Sequence, residues 1–276
     1  MERLRGRVAL VTGASGGLGP VLVRALAGEG MDVVVSGRRV DALAATAADA
    51  RALGVRAESV PADLADLGAV GSLLTRAEEA LGPIDVLVNN AGVENVAAFT
   101  DLTQAELTAM VDVNLTAPML LTRHVLPGML RRGRGHVVFV SSMAGKVGPA
   151  FCEPYSATKA ALIGLTQSLR AEYGQSPVGF SVVCPGFIAG DGMYQRMVER
   201  GFRSNRVIGE TTTTTVANRV VTAIRRDLPE VIESGAPVRP LLSVAAMAPR
   251  LGERIVAWTG VNAMFRRLSE DRGRGG

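Results

Sequence analysis

A chain of 276 residues is long enough for one large α/β domain, since such folds commonly exceed the usual domain size without splitting. Hydrophobic residues make up 47% of it, which excludes a disordered protein and fits a sheet covered on both faces. The 30 basic and 26 acidic residues leave a formal charge of +4, and with no basic stripe interleaved with aromatics that small excess does not point to nucleic acid.

Two cysteines, Cys152 and Cys184, and two histidines, His124 and His136, offer neither a disulfide framework nor a metal-ligand cluster, so no metal is expected and a reducing cytoplasm is. The N-terminus passes straight from charged residues into an apolar run, unlike a signal peptide. No uncharged, glycine-poor run is long enough to span a bilayer. A cytoplasmic protein, in at most peripheral contact with membranes, is the expectation.

In chain order, Val8 to Thr12 is an apolar run closed by Gly13, and beyond the glycines Val21, Leu22 and Leu26 recur at helical spacing from Pro20 to Gly30. Strand, glycine turn and helix make a phosphate-binding unit, because glycines let the backbone approach a pyrophosphate and helix N-terminal amides face it. Pro20 costs little there, since a first-turn N–H has no intrahelical partner. Asp32 to Ser36 reads as the second strand, and Gly37, Arg38 and Arg39 follow where an acidic residue would hold the ribose of NAD. A guanidinium pairs instead with a 2′-phosphate, so NADP (as NADPH) is the expected cofactor. The alternative is a solvated arginine pair at a helix start.

Further on, the pattern predicts a helix over Asp41 to Leu53, a strand over Arg56 to Val60, a helix over Val70 to Leu81 and a strand over Asp85 to Asn89. Asp63, past the third strand, suits a cap for the following helix. Thr103 to Leu130 is one long helical pattern, with a break expected near Pro118 or Pro127. Inside it Asn114 sits among Val111, Val113 and Leu115, where a buried amide must find partners.

His136 to Ser141 reads as a strand buried on both faces, which delivers Ser142 to the carboxyl edge of the sheet, where open α/β sheets bind ligands. Tyr155 and Lys159 then lie one turn apart on a helix running to about Gly174. An ammonium beside a phenol favours phenolate and lowers its pKa. Cys152 reads as a small apolar residue rather than a nucleophile, and Glu94 as a solvated loop carboxylate rather than a substrate contact. Val178 to Val183 is a sixth strand, Thr211 to Asp227 a helix, and Glu230 to Glu233 a seventh strand.

The ordered set Thr12-Gly13-x3-Gly17-x-Gly19, Asn89-Asn90-Ala91-Gly92, Asn114, Ser142, Tyr155, Lys159 and Pro185-Gly186 resembles the short-chain dehydrogenase/reductase family over roughly the first two hundred residues. The resemblance implies an α/β fold: a single Rossmann-fold domain with a doubly wound parallel sheet of about seven strands and helices on both faces. It places the dinucleotide on the turn formed by Gly13, Ser15, Gly16, Gly17, Leu18 and Gly19. Arg38 and Arg39 would lie at its ribose, with Asp63 and Leu64 at its adenine. Asn90, Ala91 and Gly92 would floor the pocket, and Pro185, Gly186 and Ile188 would flank the nicotinamide with Tyr155 and Lys159. Many relatives carry a threonine where this chain has Gly190.

The implied reaction is hydride transfer between NADPH and the carbonyl carbon of a ketone or secondary alcohol. Tyr155 would be the proton donor, Ser142 would hold the substrate oxygen, and Lys159 would bind the ribose and lower the tyrosine pKa. Asn114 would distort its helix and support a water chain. Met143, Val147, Phe151, Phe187, Met193 and Tyr194 point to an apolar substrate. A dinucleotide-binding sensor or scaffold remains a rival, as does an epimerase or dehydratase that never releases its cofactor.

Residues 1–235 thus form the expected catalytic domain, with a substrate lid at about 190–210, and 236–276 form a C-terminal amphipathic extension. Within it Leu251, Ile255, Trp258, Val261, Phe265 and Leu268 alternate with Arg250, Arg254, Arg266 and Arg267. Packing on the domain, a homo-oligomer interface in a dimer or tetramer, and docking on a membrane surface compete in that order. Arg272 to Gly276 is expected to fray.

Overall fold

The segment VALVT forms the first strand with every residue buried, as expected of a strand that has no wet side. The computed structural model describes residues 4–190, 193–199 and 209–273. Strand β1 (Val8–Thr12) is followed by α1 (Gly19–Gly28), β2 (Asp32–Ser36), α2 (Val40–Arg51), β3 (Ala57–Ser59), α3 (Ala69–Leu81) and β4 (Val86–Asn89). The alternation continues with α4 (Gln104–Val111), α5 (Ala117–Arg132), β5 (Gly135–Val140), α6 (Glu153–Tyr173) and β6 (Val178–Pro185). The two-residue strands β7 (Ile188–Ala189) and β8 (Thr211–Thr212) flank α7 (Met193–Glu199), and α8 (Thr213–Arg226) leads into β9 (Glu230–Glu233). Three helices follow: α9 (Arg239–Met247), α10 (Pro249–Trp258) and α11 (Val261–Gly273).

Seven strands pair in the order β3-β2-β1-β4-β5-β6-β9, and every pairing is parallel. Parallel strands need crossovers, which put helices on both faces. One face is packed by Leu22 and Leu26 of α1 with Val220 and Ile224 of α8. The other is packed by Leu73 of α3, Leu121 of α5 and Leu162 of α6. Strand order reverses between β1 and β4, and the crevice beyond their carboxyl ends is where such sheets bind ligands.

The long helical pattern is interrupted beside Pro118 and not at Pro127. Pro118 follows the interruption, in the first turn of α5, and Pro127 lies inside α5 without ending it. The interruption is a π turn over Asp112–Thr116 that carries Asn114. The start of α4 is set by Thr103, whose hydroxyl accepts from the Glu106 N–H while the Glu106 carboxylate accepts from the Thr103 N–H. Of the end expected to fray from Arg272, α11 includes residues 272 and 273, and 274–276 lie outside the described residues. No described helix is long and apolar enough to cross a membrane.

At the opposite edge of the sheet from the crevice, His136 is buried with its Nε2 2.8 Å from Ser181 Oγ. The Ser181 hydroxyl donates to the Leu228 carbonyl, so Nε2–H is the donor in the first bond. Burial holds the imidazole pKa down from 6.5 to about 4; Asp227 opposes this and Arg170 adds to it. The unfolded chain therefore binds a proton that the folded one refuses between those values. Stability should be full above about pH 6.5 and fall by about 3 kcal/mol as the pH drops toward 4. Urea titrations across this range should show a shallower loss in His136→Gln than in the parent; equal slopes would assign the acid sensitivity to other groups.

Candidate active site

The glycine turn after β1 is shaped by close approach. Gly13 has φ +66°, and a Cβ there would sit 2.8 Å from the Ala91 Cα, so a side chain is excluded by both conformation and space. Thr12 Oγ1 accepts the backbone N–H groups of Asn90 and Ala91, each at 3.1 Å. The Asn90 side chain donates back to the Thr12 carbonyl at 2.9 Å. One of the two asparagines therefore locks the carboxyl ends of β1 and β4 together. Its neighbour Asn89 is buried with neither amide atom paired to protein.

The turn opens into a cavity of about 1100 Å³. Ser15, Gly16, Gly17 and Leu18 line it at one end with Arg38 and Arg39, and Asp63, Leu64, Asn90, Ala91 and Gly92 line its middle. Ser142, Tyr155, Lys159, Pro185, Gly186 and Ile188 complete it. The Arg39 guanidinium donates to the Ser15 carbonyl and so spans the mouth of the glycine turn. Asp63 accepts the Ala65 N–H at 3.0 Å, a local turn rather than a cap on α3, which begins at Ala69.

Two residues placed at the site by sequence stand behind its wall. Gly19 is buried, and a Cβ there would strike the backbone of Gly13 and Ala14; it packs helix α1 against the turn and does not line the cavity. Asn114 is fully buried. Its Oδ1 accepts the Val93 N–H at 2.8 Å, and its Nδ2 donates to the Val93 carbonyl at 2.8 Å and to Thr158 Oγ1 at 3.2 Å. The π turn aims this amide between the loop after β4 and helix α6.

The reactive groups are set by β5 and α6. Ser142 follows β5, and its Oγ accepts the Ala144 N–H at 3.1 Å. The turn it begins rests directly on α6 because residue 145 is glycine: a Cβ there would lie 2.6 Å from the Lys159 carbonyl carbon. Lys159 is buried, donates to the Val140 carbonyl at 2.9 Å, and has its Nζ 5.5 Å from the centre of the Tyr155 ring. A Cβ on Gly92 would come within 3.3 Å of that Nζ, so the small residues after Asn90 make room for the ammonium.

Burial raises the Tyr155 phenol well above its usual value, the Glu94 carboxylate raises it further, and a hydrogen bond with Ser142 pulls it down. Burial also lowers Lys159 to about 8, against raising effects from Cys184 and Glu94. Desolvation acts on both partners and favours their neutral forms. Glu94 is thus coupled to both groups, lines the cavity, and lies 3.5 Å from the Cys152 sulfur. Its place two residues after the Asn-Asn-Ala-Gly stretch is the one sequence signal for this, outweighed by its polar loop context. Cys152 is fully buried, and its thiol is pushed far up by burial and by Glu94, which excludes a ready thiolate.

Gly190 adopts φ +110°, a conformation that a threonine would not take without strain. Met143, Val147, Phe187 and Tyr194 line the cavity. Of the expected lid, Phe202 and the rest of 200–208 lie outside the described residues, as do 191–192. The C-terminal helices reach the site too: Phe265 and Leu268 of α11 are buried with Cys152, Tyr194 and Met197. Among the described residues no cluster of His, Cys, Asp and Glu is suited to a metal.

Residues 7–200 match the family described as short chain dehydrogenase. The ketoacyl reductase HetN of Nostoc sp. is 38% identical over 277 aligned positions, covering 99% of this chain and 96% of that protein. A short-chain dehydrogenase/reductase from Burkholderia phymatum, solved with NAD, superposes with a TM-score of 0.81 at 26% identity, over 91% of this chain and 96% of its own. An actinorhodin polyketide ketoreductase variant solved with NADPH gives 0.77 at 31% identity, over 85% and 98%.

The bridge made by Asn114 is open to direct measurement. Replacing it with leucine removes the partners of the half-buried N–H and carbonyl of Val93 and of Thr158 Oγ1, and Asn114→Leu should lower stability by about 2–3 kcal/mol. Denaturant midpoints test this; a loss below about 1 kcal/mol would mean that the Val93 groups find other partners.

Proposed function

Because the chain belongs to the short-chain dehydrogenase family, we propose that it is an NADP(H)-dependent oxidoreductase interconverting a carbonyl group and a secondary alcohol on an apolar small molecule. The observation that carries this reading is the meeting of Ser142, Tyr155 and Lys159 on the wall of a cavity that begins at a glycine turn. The residues fit a dinucleotide: the Gly13 to Gly19 backbone is bare where a pyrophosphate would rest, and the α1 N-terminus opens toward it. When bound, the nicotinamide supplies or accepts the hydride.

The protein supplies position and the proton. Tyr155 gives its phenolic proton to the carbonyl oxygen during reduction, and Ser142 donates a hydrogen bond to the same oxygen. The buried Lys159 ammonium, 5.5 Å from the phenol ring, stabilises the tyrosinate left behind. Asn114 holds the loop at Val93 against α6 so that these groups keep their spacing. Arg38 and Arg39 at the ribose end, with Gly37 where a carboxylate would repel phosphate, support NADP over NAD. The presence of both Tyr155 and Lys159 favours turnover over a sensor or scaffold.

Tyr155→Phe should bind NADPH and lose turnover by a factor of a thousand or more, about 10²–10⁴ being the usual contribution of a positioned acid; retained turnover would remove the tyrosine from this role. Arg38→Ala should weaken NADPH roughly ten- to a hundredfold, the worth of a charge-assisted hydrogen bond, and leave NADH nearly unchanged in fluorescence titrations. Equal losses for both cofactors would place the 2′-phosphate elsewhere. In alcohol oxidation the phenol must first ionise, so the rate should rise with pH. Glu94→Gln removes a charge that raises Tyr155, and this rise should begin at lower pH; a shift to higher pH would exclude the coupling.

A further inference from the structure

The cavity does not end at the reactive groups. It is lined also by Phe187 and Tyr194, whose ring centres are 4.8 Å apart and which share an apolar cluster with Val261 and Phe265, and by Leu242, Ile255 and Val256 of the last three helices. Three observations show that these helices are built into the site. Phe265 is 4% exposed among Cys152, Tyr194 and Met197. Asn262 Oδ1 accepts the Ala150 N–H at 3.1 Å, two residues before Cys152 caps the helix of Tyr155. Phe151 holds φ +67°, a costly conformation for a bulky residue, and in it packs against the same apolar cluster.

The pairing of α9 and α10 is equally close, since a Cβ on Gly252 would lie 2.9 Å from the Ala245 Cβ. The lining offered by these helices is almost wholly aliphatic. Its one hydroxyl, on Thr259, donates to the Val256 carbonyl at 2.6 Å. Such a wall has shape and apolar area to give a ligand but little polar chemistry.

We propose that α10 and α11 form the tail pocket of the substrate site, in which Val256, Val261 and Phe265 select carbonyl compounds whose reacting carbon carries a linear aliphatic chain. This rests on the oxidoreductase reading for the headgroup, but the pocket itself is read from packing. The C-terminal extension is then a specificity element: it gauges how far the chain runs beyond Tyr155.

Calorimetric titration of 2-alkanones of rising length into NADPH-loaded Tyr155→Phe protein tests this without turnover. Affinity should rise about threefold to fourfold per added methylene until the pocket is filled. Val261→Trp should shorten the length at which the rise stops, with short ketones and NADPH bound as before. Val256→Phe, on the neighbouring helix, should do the same and serves where the tryptophan variant loses NADPH binding. Affinity independent of chain length, or equal losses for short and long ketones with NADPH binding intact, would overturn the tail pocket. Length-dependent binding in a parent protein that reduces none of these ketones would sustain the pocket and sink the oxidoreductase reading alone.

Discussion

Asn114 gives up regular helical pairing so that its amide can reach out of its own helix, and the geometry of the site depends on that exchange. A straight helix from Thr103 onward would bury the side chain against apolar neighbours with nothing to bond. The π turn points it at Val93 and Thr158 instead. Through those two residues the loop after β4 is held against the helix that carries Tyr155 and Lys159. The same loop is tied to the glycine turn by Thr12 and Asn90. A short chain of hydrogen bonds, from half-buried at Asn90 and Val93 to fully buried at Thr158, therefore links the glycine-turn end of the cavity to the end at Tyr155 and Lys159.

Burial gives this site its character and also sets its limits. Lys159 stays inside because the Val140 carbonyl accepts from it, yet desolvation still draws its pKa down to about 8. Tyr155 moves the other way and stays protonated. In the proposed reaction a protonated phenol is the form that reduction needs. Glu94 reinforces that state from a loop position that sequence reading had treated as solvent-facing.

The C-terminal segment has a comparable duality. Its inner surface is part of the apolar cluster around Tyr194 and Phe265, while Trp258 is 73% exposed and Met247 still more so on the outside. Phe265 and Leu268 carry the contacts of α11 with that cluster. The inner contacts make it a wall of the cavity as well as a cover for the fold.

Period and punctuation in the chain determined a great deal by themselves. Strands β1 and β2 fall where apolar runs bounded by glycines put them, because a buried parallel strand leaves a continuous apolar signature. The glycine turn and the Tyr155–Lys159 pair were legible for a similar reason: each needs a fixed residue at a fixed local spacing. Only the tertiary structure decided the rest. The break at Asn114, the standing of Gly19 and Asn114 behind the cavity wall, the rise of the Tyr155 pKa and the arrival of α11 beside Cys152 all depend on what surrounds a group in space. Desolvation and packing are sums over neighbours that lie far apart in the chain, and no local pattern carries them.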